Sequence, residues 1–180
     1  MKRTNHPSML TDATRAHYEK YWRLAREMYV AGEYPLAAFL AITLIEEIGK
    51  IPLLEEALGG NAEAKKEFRS HRDKYVNAVG ATLAVNMRVS RVYGRDESRF
   101  AQWFRDGKLF QMRNSALYLE LRGAHLVAPE EVIKRADALL LVCIAGEVYA
   151  EIQGRQTGTG PTEWQRILAE IDAFRSTATS

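Results

Sequence analysis

The chain has 180 residues, 47% of them hydrophobic and 27% charged, which suits one domain with a full hydrophobic core. A formal net charge of +2 does not by itself mark a nucleic-acid binder, although a basic cleft fits within a balanced total. Cys143 is the single cysteine, so an internal disulfide is excluded and a reducing, cytoplasmic setting is expected.

The N-terminal stretch MKRTNHPSML has basic residues without an apolar run behind them. It is not expected to act as a secretion signal, and residues 1–10 read as a flexible lead-in. Thr11 and Asp12 open a first helix running to Gly32, with Tyr18, Trp22, Ala25 and Tyr29 at helical spacing. Pro35 stands where a first-turn proline belongs. The second helix, to about Leu58, is apolar on nearly all sides in its first half and is therefore expected at the centre. Its longest nearly apolar stretch, Tyr34 to Ile45, falls short of the roughly 20 residues that span a bilayer, so no membrane partner is expected. Gly49 and Pro52 are expected to kink this helix or end its first segment.

Gly59-Gly60 is a stop, and Asn61 suits the N-cap of a third helix with Phe68, Tyr75, Val79, Leu83 and Met87 as its buried stripe. A fourth helical stretch covers Glu97 to about Leu121, with a break at Asp106-Gly107. Pro129, Glu130 and Glu131 start a fifth helix reaching about Gln153. Cys143 lies in its apolar run Leu139 to Ala145, which predicts a buried thiol rather than a reactive one. A loop over 154–161, a short helix over 162–174 and a fraying tail over 175–180 complete the chain. No strand alternation and no repeat stand out. The expected fold is all-α: an up-and-down bundle of about five main helices over 11–153, with a short extra C-terminal helix.

Polar residues within these helices carry the chemistry. Glu46-Glu47 and Lys50 lie among Ile42, Leu44, Ile45 and Ile48, and either carboxylate can reach the ammonium at i,i+4 or i,i+3. Buried charges must be paired, so this is either an internal salt bridge or part of a site. His71 and Lys74 sit one turn apart among Arg69, Arg72 and Asp73, a run that reads as a charged outer face or as a group facing Glu47 across the bundle. Arg113, Asn114 and Tyr118 bring a guanidinium, an amide and a phenol to one helix, a set suited to a phosphodiester. The alternative has Tyr118 in the core, Asn114 bonded locally and Arg113 reaching out to solvent. No zinc spacing, paired di-iron motif or phosphate-cradling glycine loop is present, so neither metal nor cofactor is expected.

The strings Ala41-Ile42 through Glu46-Glu47-Ile48-Gly49-Lys50, then His71 with Lys74, then Met112-Arg113-Asn114-Ser115-Ala116-Leu117-Tyr118, then Pro129, resemble the AbiV-type abortive-infection family of bacterial phage defence, a branch of the HEPN superfamily. The resemblance spans about residues 10 to 153. It implies a helical bundle that dimerises. Many HEPN proteins are metal-independent ribonucleases with an Arg followed four to six residues later by His. Arg113 and Asn114 match that signature, but Tyr118 stands where the nearest spacing places the histidine. A neutral imidazole takes a proton near neutral pH, whereas an unperturbed phenol titrates near about 10. The resemblance therefore implies Arg113 as the group that stabilises phosphorane charge, Asn114 as a positioning group, and His71 or Tyr118 as the proton carrier. Glu46, Glu47, Lys50 and Lys74 form the supporting polar cluster. Two classes stay open: an RNA-binding or RNA-cleaving protein, and a non-catalytic module that binds a phage or defence-system protein.

Overall fold

A computed structural model describes residues 11–61, 70, 71, 73–76, 78, 87–156 and 160–179. Two long antiparallel helices come first, α1 (Asp12–Val30) and α2 (Tyr34–Leu58). The Thr11 hydroxyl caps α1 by accepting the amide of Thr14 at 3.1 Å. Residues 71, 73–76 and 78 are helical. Then follow α3 (Met87–Tyr93), α4 (Arg95–Arg105), α5 (Lys108–Ser115), a hairpin of β1 (Glu120–Arg122) and β2 (His125–Val127), α6 (Pro129–Val132), α7 (Arg135–Gln156) and α8 (Gly160–Thr179).

The core is built where α1, α2, α7 and α8 pack together, with α5 against the far side of α2. As expected, α2 is buried around most of its circumference. Helix α7 matches it: every residue from Leu140 to Ala150 is buried. Such helices lack a polar face because neighbours cover them on several sides. Gly146 makes this possible on α7, since a Cβ there would meet Trp22 Nε1 at 2.7 Å and Ile171 Cγ1 at 2.9 Å. Cys143 is buried as expected, and that burial pushes its thiol up to about 12, which suppresses the reactive thiolate.

Several expected boundaries move. Helix α2 continues through Gly49 and Pro52 to Leu58. Beside the turn that the proline weakens, the Tyr18 hydroxyl donates to the Glu47 carbonyl at 3.3 Å. The break at Asp106-Gly107 is present, with Gly107 at φ +68°. The helix beyond it, however, ends at Ser115 rather than near Leu121. The Ser115 hydroxyl turns back to the Gln111 carbonyl at 2.9 Å and also contacts Glu120. Residues 120–127 then pair as an antiparallel hairpin, Leu121 opposite Leu126. Gly123 turns it at φ +63°, a conformation glycine adopts without strain.

The helix opened by Pro129 stops at Val132, and α7 starts afresh at Arg135. The C-terminal helix extends from Gly160 to Thr179 and includes most of the tail expected to fray. It stays helical because it is tied down: Arg135 Nη2 donates to the Ala178 carbonyl at 2.7 Å, and Arg175 Nη1 to that of Val92 at 2.8 Å. Of the expected third-helix stripe, Tyr75 is buried, while Phe68, Val79 and Leu83 lie outside the described residues.

Candidate functional site

Glu46 is the centre of the polar cluster. It lies on α2 with its side chain only 6% exposed. His71 Nδ1 is 2.9 Å from its Oε2, a polar contact whose geometry falls outside that of a regular hydrogen bond. Lys74 Nζ donates to Oε1 at 3.3 Å, and the Tyr75 hydroxyl donates to Oε2 at 3.4 Å. Arg113 Nε, from α5, stands 3.7 Å from Oε2, close enough for charge attraction but not for a hydrogen bond. Burial alone would raise the Glu46 carboxyl. His71, Lys74 and Arg113 outweigh that effect and hold it below the usual glutamate range.

The approach of residues 71 and 73–76 depends on Gly49. A Cβ at this position would lie 1.8 Å from the Lys74 carbonyl oxygen and 2.6 Å from its carbonyl carbon. Backbone therefore rests on backbone, one turn after Glu46, which brings His71 and Lys74 to the carboxylate. Gly49→Ala is expected to destabilise the protein by about 1–3 kcal/mol or more, since the obstacle is main chain and cannot rotate aside. Chemical denaturation checks this; an unchanged midpoint would contradict the close approach.

Glu46 and Lys74 are buried, whereas His71 and Arg113 reach the surface, with side chains 38% and 27% exposed. The Phe39 ring lies 5.4 Å from the Arg113 guanidinium, and the Phe110 ring 4.8 Å from the His71 ring. The cluster thus has a buried anionic base and a mixed imidazole and guanidinium rim.

The other expected site residues lie apart from this centre. Glu47 and Lys50 pair with each other, both partly exposed, so it is Glu46 rather than Glu47 that His71 faces. Asn114 is half-buried on α5, and its side chain hydrogen-bonds to none of the described residues. Tyr118 lies beyond the end of α5 and is 64% exposed. Its amide donates to the Asn114 carbonyl at 3.1 Å, but its hydroxyl bonds to none of the described residues. The expected sharing of a helix face by Asn114 and Tyr118 fails because α5 stops between them.

The family model for AbiV, of the HEPN group, matches residues 9–150. The chain belongs to the AbiV family. No curated protein and no solved structure matches it. The four residues of this cluster, Glu46, His71, Lys74 and Arg113, fall within the matched region, whereas α8 lies beyond it.

Helix α8 nevertheless joins this AbiV-family bundle through a second ionic network. Arg88 Nε donates to the fully buried Glu147 at 3.2 and 3.3 Å, and its two Nη atoms bind Asp172 of α8 at 3.2 and 2.8 Å. The Tyr93 hydroxyl donates to Glu147 at 2.9 Å. Burial pushes the Glu147 carboxyl upward despite Arg88. Sequence reasoning missed this network. Its one signal was an acidic residue, Glu147, in the most apolar part of a helix. Among the described residues, no three His, Cys, Asp or Glu side chains gather as a metal site, and no helix is long and apolar enough to cross a membrane.

Proposed function

We propose that this AbiV-family protein acts in phage defence as a metal-independent RNA-cleaving protein, with His71 and Arg113 as the working groups. The observation that supports this reading is that one buried carboxylate holds an imidazole and a guanidinium which both reach solvent. Glu46 favours the tautomer with the proton on Nδ1, leaving Nε2 of His71 as a base. In this reading Nε2 takes the proton of a ribose 2′-hydroxyl, and O2′ bonds to the adjacent phosphorus. The bond from phosphorus to O5′ breaks, and O5′ takes a proton from water. The products are a 2′,3′-cyclic phosphate and a 5′-hydroxyl. Arg113 binds the anionic phosphate oxygens as charge develops, while Lys74 neutralises Glu46 from within. DNA, without the 2′-hydroxyl, is not cut.

The test compares wild type and Arg113→Ala on total bacterial RNA in EDTA, with the product ends identified. Wild type is expected to leave 2′,3′-cyclic phosphates, and the variant to cut about a hundredfold to a thousandfold more slowly. Equal cleavage by both, or none by either, would sink the assignment.

The second reading, a non-catalytic module binding a phage protein, has one observation in its favour. Glu46 already has cationic partners within the chain, as an internal strut would. A variant that loses phage protection only in proportion to its lost stability favours this reading. One that folds normally but fails to protect favours the site.

A further inference from the structure

Phe110 is a large apolar side chain left 39% exposed beside the polar cluster. Its ring centroid is 4.8 Å from that of His71, with the planes inclined by 34°. It precedes Arg113 and Asn114 by three and four residues on α5, so the three share one helix face. An aromatic ring tilted against the proposed base, partly open to solvent and one turn from the phosphate-binding guanidinium, is placed where a substrate base could cover it. From this we infer that Phe110 is a stacking platform for one nucleobase next to the cleaved phosphate, so the substrate must present an unstacked base there.

The inference rests on the RNA-cleaving reading of the cluster. The Phe110 ring is tilted against the imidazole, and its exposed surface can receive a base beside His71. Base–aromatic stacking tolerates any base, because each has a π-face. The platform therefore selects conformation rather than sequence. A base held within a duplex already stacks on its neighbours and cannot cover Phe110.

The experiment uses the full chain and a short single-stranded RNA in which one abasic ribose is moved through every position, with cleavage mapped on gels. Wild type is expected to lose roughly tenfold to a hundredfold in kcat/KM when the abasic residue stands at one particular position flanking the cut. Phe110→Ala should lose a similar factor on intact RNA and nothing further on that abasic RNA, while Phe110→Trp retains activity. The same RNA annealed to its complement should be cut more slowly by wild type than the free strand. A purely structural role for Phe110 would lower the rate with the wild-type abasic pattern preserved, and that result overturns the inference. So does unchanged cleavage by Phe110→Ala while Arg113→Ala is inactive, in which case the cluster still stands as the RNA site. Absence of both binding and cleavage by wild type overturns the two readings together.

Discussion

Glu46→Ala is expected to destabilise the protein by about 3–5 kcal/mol, the cost of leaving a buried charge without its partner. The buried cation that loses this carboxylate is Lys74, whose side chain is 9% exposed, and His71 and Arg113 lose it on their inner sides. Glu46→Gln keeps the volume but not the charge, so it isolates the electrostatic part. Because the folded-state carboxyl lies below its ordinary value of 4.5, its ionisation adds stability above that value. That contribution fades as pH falls through 4.5 towards the lower folded value. The gap between wild type and Glu46→Gln should thus be full at neutral pH and close in acid, as urea titrations across the acid range would record. Glu147 has the opposite sign: its carboxyl is raised, so its contribution is lost as pH rises through the folded value. A gap that widens in acid for Glu46→Gln would refute the description of this centre.

His71→Ala is expected to slow RNA cleavage about a hundredfold to ten-thousandfold, the usual contribution of a positioned general base. The loss should appear in the chemical step rather than in RNA affinity, since Arg113 remains. The side chain is more exposed than Glu46, so the variant should keep most of its stability and give an interpretable assay. Tyr118→Phe provides the contrast. Its hydroxyl is solvent-facing and lies past the end of α5, so cleavage at the wild-type rate is expected. Single-turnover kinetics on melting-checked variants decide the matter. Full activity in His71→Ala would remove His71 from the mechanism, and loss of activity in Tyr118→Phe would return the proton-carrying role to the phenol.

Much of the site was legible because its residues break local rules. Two glutamates in a run of isoleucines and leucines announce a buried charge, and Arg113 next to Asn114 is the pair on which the resemblance to the family is read. The choice between Glu46 and Glu47 was not legible. Neighbouring residues on a helix are separated by about 100°, and α2 is apolar nearly all round, so no amphipathic face points inward from the sequence alone. Tyr118 was misplaced for a related reason. The apolar residues of the stretch 116–122 fit a continuing helix as well as a turn into a hairpin, and the Ser115 hydroxyl contact with Glu120 at the end of α5 depends on Glu120 folding back.

By itself the sequence determined the all-α class, its central second helix, a buried cysteine and a short set of polar residues, though not the hairpin over 120–127, because periodicity, proline and glycine act within a few residues. Tertiary structure decided which of those residues meet. Gly49 lets the Lys74 backbone lie against α2, and this contact, between residues 25 positions apart, helps bring His71 and Lys74 rather than Lys50 to Glu46. The same holds for Arg88, which meets Glu147 across 59 residues of chain and Asp172 across 84. Local spacing carries no record of such meetings, since they follow from how closely whole helices can approach.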